Sequence, residues 1–444
     1  MGSAQTVNLQ KSGFYEKGRA WIELDMEHLR HNVECFRRLL PGDCALMPAV
    51  KANAYGHGAV PVARELQRLG ITDYCVASVS EGVQLRLAGI GGQILILGYT
   101  HPRDFDALYE YGLTQTVVDV SYGRELEAYG KKLSVHVGID TGMHRLGESW
   151  DHLSDIRKLW EGENLRITGV YSHLCTSDGD TEEDQAYMRL QEERFQRVIR
   201  CLRSEGKRGF CTHLQGSYGI LNGDRLTGTY DYARAGIALY GVFSETSRRM
   251  EHIFGLKPVL SLKARIACVR AIKEGEGAGY GLSWHADSER KIAAVSVGYA
   301  DGFPRMLTNK GHALVRGRKV PVVGRVCMDQ LLLDVTDVPQ AAPGEEAVFI
   351  GESGGRTLRA EEMAEEAGTI SNEILSRLGE RLSRVCVGSG SHSGSEAPET
   401  PDLRAGIRTP ATLSDWQGSG AGSGKRCPSL IERTRRSDHR GDSL

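Results

Sequence analysis

Pro48-Ala49-Val50-Lys51-Ala52-Asn53-Ala54-Tyr55-Gly56-His57-Gly58 is an apolar run that ends in a lysine, a tyrosine and two close glycines. It reads as a strand opening into a turn suited to phosphate, with Lys51 at the strand's mouth. An amine in that place, partly desolvated, has a lowered pKa and can form a Schiff base with an aldehyde cofactor. Tyr55 then stands within reach of the cofactor's phosphate. A surface lysine in a βα loop fits the same residues, so the surrounding chain has to decide.

Outward from this stretch, short apolar runs recur at 45–50, 74–79, 94–97, 116–118, 133–137, 167–171, 210–214 and 232–237. Segments of helical period lie between most of them, at 59–69, 81–88, 104–111 and 182–203 among others. About eight strands alternating with helices over roughly 200 residues is the arithmetic of a (β/α)8 barrel, whose chemistry sits at the carboxyl ends of its strands. Lys51 is at such an end. Past residue 243 the texture changes to β-branched, Gly-rich segments joined by short turns, which predicts a second, mainly β domain. The expected limits are a loose start at 1–18, a barrel at 19–243, a β domain at 244–388 and a tail at 389–444. The strand expected at 20–25 is assigned to the β domain's sheet. The tail has too few aliphatic residues to offset the entropy of ordering, so it is expected to be disordered.

The chain has 444 residues, 40% hydrophobic and 25% charged, with a formal net charge of -2. That balance gives no electrostatic argument for nucleic acid or a membrane surface, and it suits an enzyme of small molecules. No apolar window is long enough to span a bilayer and the first residues lack the pattern of a secretory leader, so a cytoplasmic protein is expected. The ten cysteines show no C-x-x-C spacing, and Cys75, Cys175, Cys211 and Cys327 stand in apolar runs. Reduced, buried thiols are expected rather than disulfides or a metal site.

Other stretches admit a chemical and a structural reading each. Arg145, after Asp140-Thr141-Gly142-Met143-His144, is either a bidentate partner for a carboxylate or half of an ion pair with a neighbouring acid. His173 ends a strand and either stacks on a cofactor ring or is a core histidine bonded to backbone. Ser217 opens a helix as a phosphate-binding hydroxyl or as an N-cap. Arg234, in Ala233-Arg234-Ala235-Gly236-Ile237, ends the eighth strand where such barrels bind phosphate, or is a rim charge. Tyr280 lies between Gly279 and Gly281, and 324–330 is a polar break containing Met328.

Taken together and in order, Ala49 to Gly58, Asp140 to Arg145, Ala233 to Ile237, Tyr280, Tyr299-Ala300-Asp301-Gly302 and Arg325 to Gln330 resemble the pyridoxal-phosphate alanine racemases, from about Arg19 to Val387. The resemblance implies a fold-type III enzyme in which Lys51 carries pyridoxal 5'-phosphate as a Schiff base. Tyr55, Ser217, Gly236 and Ile237 would hold the phosphate, Arg234 the pyridine nitrogen, and His173 would support the ring. It also implies a homodimer with shared active sites, where Tyr280 and Met328 reach the other subunit's cofactor and Lys51 and Tyr280 are the two bases. Arg145, Met328, Asn372 and Tyr299 would contact substrate. Three departures stand out: Gly138 where many alanine racemases have a carbamylated lysine, Gly216 for an asparagine, and Asn372 for a tyrosine. Gly138 and Asn372 together resemble the serine/alanine racemases of vancomycin resistance. The expected function is racemisation of alanine and serine for peptidoglycan, with strict alanine racemisation, a decarboxylase or a non-catalytic cofactor carrier as alternatives.

Overall fold

Eight parallel strands wrap into a ring, most of them short, mainly apolar runs whose residues are largely buried. The computed structural model describes residues 17–222, 226, 228–244 and 255–388; the expected tail at 389–444 and nearly all of the expected loose start lie outside them. Consecutive strands pair from Asp73–Val76 through Gln93–Ile96, Thr114–Val117, Leu133–Asp140, Leu165–Tyr171 and Cys211–His213 to Tyr232–Ala233, which pairs back on Ala45–Leu46. The ring closes where Ala49 bridges Cys75, with Val50 N–H donating to Cys75 O at 2.8 Å. The apolar run at 45–50 is thus a two-residue strand followed by a bridge. Pro48 has no N–H for a ladder, and only its carbonyl is used, accepting from Cys75 N at 2.8 Å.

Helices cover the outside. The longest, Glu182–Ser204, starts at a reciprocal capping box between Thr181 and Asp184 and buries Met188, Gln191, Phe195, Val198 and Leu202 against the wall.

The second part is a closed antiparallel sheet of Leu260–Ile272, Arg290–Val295, Leu331–Asp334, Arg318–Val323, His312–Val315 and Glu346–Ser353, the last pairing back on the first. Ala20–Asp25 pairs antiparallel with Leu260–Ile272 and parallel with Ser383–Val387, so the chain enters through this sheet before Asp25 caps helix Met26–Leu39. A short helix of this part, Ser371–Ser376, packs on the turn after Lys51. At Gly56 (φ +82°) a Cβ would stand 2.0 Å from Leu375 O, so only glycine permits that contact.

Of the four cysteines expected to be buried, only Cys75 is. Cys175 is exposed and Cys211 and Cys327 are half-buried, because Cys175 and Cys327 lie in loops beyond the strands and Cys211 is the first residue of its strand. Among the described residues, no helix is long and apolar enough to cross a membrane.

Candidate active site

Lys51 leads into an unusual turn. Ala52, Asn53, Ala54 and Tyr55 all take left-handed φ values, 51° to 54°, a conformation that costs L-residues about 1–2 kcal/mol each. Such a turn persists only where its surroundings over-determine it, and it is typical of functional sites. Here Asn53 Oδ1 accepts from Ala59 N at 2.7 Å, and Gly58 N donates to Asn53 O at 2.8 Å. Glu81 adds a clamp: one carboxylate oxygen accepts from Ala52 N at 2.7 Å and the other from Ala77 N at 2.6 Å. Glu81→Ala is expected to destabilise the protein by about 2 kcal/mol, since two charge-assisted bonds are lost, and to lower kcat through misplacement of Lys51. Thermal unfolding and steady-state rates check this, with Glu81→Gln, which keeps one oxygen, affected less.

The Lys51 amine makes no hydrogen bond or ion pair to the described residues. Burial, and then the Arg145 cation, hold it below the usual ammonium range. A lysine with these surroundings is a nucleophile and a base rather than a surface charge.

Tyr55, Ser217 and Gly236 converge beside it. Ser217 is the first residue of helix Ser217–Leu221 rather than its N-cap, and its Oγ accepts from Gly236 N at 2.8 Å and Ala238 N at 3.4 Å. Tyr55 is pushed up to about 12 by burial, so its phenol stays a donor. A Cβ on Gly236 would meet Tyr55 Oη at 2.9 Å and Ser217 Oγ at 3.5 Å, so the glycine leaves open a cradle ringed by two hydroxyls. With the backbone N–H of Ile237, and with those of Gly236 and Ala238 once Ser217 Oγ yields them to an anion, it has the donor set a phosphate needs.

Arg234 is buried, not at the rim. It donates to Ser172 O at 2.7 Å, Leu214 O at 3.1 Å, His213 Nδ1 at 2.5 Å and His173 Nδ1 at 3.1 Å. His173 is therefore held by a guanidinium, not by backbone alone, and burial followed by Arg234's charge takes it down to about 3, so the ring is neutral. Gly216 makes room for it: a Cβ there would stand 3.2 Å from His173 Cε1. An amine, a phosphate cradle and a neutral ring beside a fixed guanidinium fit pyridoxal 5'-phosphate.

Arg145 is exposed and has no acidic partner among the described residues. The nearby acid, Asp140, is taken by Gly142 N, His144 N and His144 Nδ1, all within 2.9–3.0 Å, so the structural ion-pair reading fails. A side chain at Gly138 would start 3.2 Å from Val117 O, and no anionic group braces Arg145 from that strand. Asn372 lies on the helix that packs against the Lys51 turn, and its Oδ1 is buried with no hydrogen-bond partner. Tyr280, Tyr299 and Met328 are not joined to the Lys51 cluster by any hydrogen bond or ring contact among the described residues; they face outward, 71%, 41% and 53% exposed. The Tyr299 and Met328 loops are stitched together, with Tyr299 N on Cys327 O and Ala300 N on Met328 O, both at 3.0 Å.

Three participants escaped the sequence reading. Glu81 sits in Ser78-Val79-Ser80-Glu81, the pattern of a capping box, and Ser78 does cap the helix; the carboxylate is diverted to Ala52 and Ala77. His136 and His213 are polar residues inside buried strands, a signal that alternation alone does not separate from ordinary core.

Residues 24–244 match the family described as alanine racemase, N-terminal domain, and residues 259–386 match alanine racemase, C-terminal domain. The chain is 39% identical over 374 residues to an alanine racemase of Carboxydothermus hydrogenoformans, covering 83% of this chain and 99% of that one. It is 37% identical over 368 residues to an amino-acid racemase of Enterococcus faecalis, covering 83% of this chain but only 51% of that protein, so it spans about half the relative's length. Among solved structures, an alanine racemase of Bacillus anthracis with bound L-Ala-P aligns with a TM-score of 0.79 at 32% identity, covering 85% and 97% of the two chains. One of Bartonella henselae with covalently bound pyridoxal phosphate aligns at 0.72 and 28%, covering 83% and 99%.

Proposed function

Because the chain belongs to the alanine racemase family of pyridoxal-phosphate-dependent amino-acid racemases, we propose that it interconverts the enantiomers of both alanine and serine, with Lys51 and Tyr280 of the partner subunit as bases on opposite faces of Cα. When bound to the substrate's nitrogen, the cofactor withdraws electrons from the Cα–H bond and makes its proton removable. Lys51, whose amine burial and then Arg145 hold below the usual ammonium range, would take or return that proton at one face. The phenol of Tyr280 would serve the other. Tyr55, Ser217, Gly236 and Ile237 would hold the phosphate, and Arg234 would face the pyridine nitrogen. A guanidinium gives up no proton, so Arg234 would leave that nitrogen unprotonated and the electron sink shallow, which would favour reprotonation at Cα. His173 would support the ring, and Arg145, with no acid of its own, would take the substrate carboxylate.

The observation that carries the serine reading is the orphaned Asn372 Oδ1. A buried acceptor without a donor costs about 1–3 kcal/mol, and a hydroxymethyl side chain offers the donor that a methyl lacks. The exposed Tyr280, Tyr299 and Met328 support a homodimer with shared sites. The likeness to the serine/alanine racemases of vancomycin resistance rests on Gly138 and Asn372. Cell-wall assembly in the cytoplasm is the class of reaction that would consume the D-amino acids.

Steady-state rates with L-alanine and L-serine test the proposal, and turnover of alanine alone would reduce it to strict alanine racemisation. Asn372→Tyr is expected to shift the serine-to-alanine ratio of kcat/KM towards alanine by about tenfold or more. An unchanged ratio would remove Asn372 from substrate selection.

A further inference from the structure

Beneath Arg234 the barrel interior holds polar side chains that the proposed chemistry does not use. His213 Nε2 is 2.8 Å from His136 Nδ1. His136 Nε2 in turn lies 3.0 Å from the Gln93 amide and 3.9 Å from Cys211 Sγ. Both rings are fully buried, and Tyr171 stacks on His213 at 4.7 Å with the planes 5° apart.

The wall is deformed to admit them. Between Leu133–Asp140 and Leu165–Tyr171 the register runs Val135 opposite Ile167 and then His136 opposite Gly169, so Thr168 is bulged out. A Cβ on Gly169 would stand 2.6 Å from the His136 ring, so the neighbouring strand has a glycine where the imidazole lies flat on it. A bulge and a glycine both weaken a sheet, so seating this ring has a cost.

The direction of each bond follows from Arg234. A guanidinium has donors only, so the Nδ1 atoms of His213 and His173 are bare acceptors. The proton of neutral His213 is then on Nε2 and donates to His136 Nδ1. His136 must carry its own proton on Nε2, which needs an acceptor. The structure has the Gln93 amide nitrogen facing that ring at 3.0 Å and donating to Thr114 Oγ1 at 3.3 Å. The amide's oxygen and nitrogen have the same shape, and the chain of bonds requires them exchanged, so that the oxygen accepts from His136 Nε2–H and from Thr114 Oγ1–H. Cys211 Sγ is a weaker second acceptor at 3.9 Å. Protonating either ring would set donor against donor. Burial and then the Arg234 charge oppose it, taking His136 down to about 3 and His213 well below its usual value. His136, Cys211 and His213 also lie within 4.8 Å of one another, a spacing a metal ion would accept, but the facing nitrogens of the two rings are already engaged with each other.

We propose that His213 and His136 are positioning residues: a one-way chain of hydrogen bonds from Arg234 through His213 and His136 to Gln93 aims a buried guanidinium that has no counter-ion among the described residues. Its consequence for the reaction rests on the reading above that Arg234 faces the cofactor's pyridine nitrogen.

Nitrogen-15 spectra of the histidine-labelled holoenzyme test the chain itself. Both rings are expected to show a protonated Nε2 and a bare Nδ1, unchanged from about pH 8 to about pH 5.5; a ring that titrates there, or carries its proton on Nδ1, overturns the proposal. Substitution at His136 tests the consequence. His136→Leu leaves His213 Nε2–H with no acceptor, and affinity for pyridoxal phosphate is expected to fall about tenfold, with kcat lowered. His136→Asn, whose Oδ1 replaces Nδ1, should restore most of it. Leu and Asn variants that hold the cofactor equally well would reduce the chain to packing and overturn the positioning role. The spectra answer for the bonds whether or not Arg234 meets the cofactor, so the two failures are told apart.

Discussion

Lys51→Ala is expected to lower kcat with either enantiomer by about 10⁴ or more, and borohydride should no longer fix the cofactor to the peptide that contains residue 51. Two roles are lost at once, the covalent anchor and one base. Among the described residues no hydrogen bond or ion pair depends on the Lys51 amine, so the variant should fold. Its thermal midpoint should be unchanged or slightly higher, because a desolvated amine beside Arg145 and Arg234 is removed from the pocket. Lys51→Arg keeps a cation but offers no nucleophile and should be equally inactive. A Lys51→Ala protein that retains even about a hundredth of the rate would assign the base elsewhere.

Much of this arrangement is legible in the sequence, for a physical reason. Parallel strands buried on both faces tend to be apolar, so much of the barrel wall shows as short runs, and the two strands that end near Ser217 and Gly236 fall where such barrels bind phosphate. Lys51 could be placed at a strand end from its neighbours. The left-handed turn that aims it could not: Ala52 and Ala54 favour right-handed helix, and their conformation is set by Glu81, Asn53 and the Ser371–Ser376 helix, contacts that no local pattern encodes. Cys175 misled because its apolar run continues past the strand into a loop. Arg234 read equally well as a rim charge, since only the fold brings His173 and His213 to it. Asn372 carried meaning only through resemblance, and its orphaned oxygen gives that difference a chemical content.

Tyr280→Phe is expected to leave cofactor binding intact and lower kcat/KM by about 10²–10⁴. The loss must be equal in both directions, because two free enantiomers have the same energy and the equilibrium constant is one. Isotope exchange separates the bases. The family resemblance implies that Lys51 serves the D-enantiomer and the tyrosine the L-enantiomer, so in D2O the variant should still wash deuterium into the α position of D-alanine without inversion, while L-alanine should exchange far more slowly. Tyr280 is 71% exposed in the single chain, on the turn Tyr280–Leu282, and does not touch the Lys51 cluster, so it must act on another subunit if it acts at all. Mixing and reassorting equal amounts of Lys51→Ala and Tyr280→Phe proteins, each inactive alone, then has a definite result. In the proposed homodimer with shared sites half of the dimers would be mixed and each mixed dimer would have one site with both residues intact, so about a quarter of the wild-type activity should return. Sites built from one chain would give none, because every site would lack either the amine or the phenol.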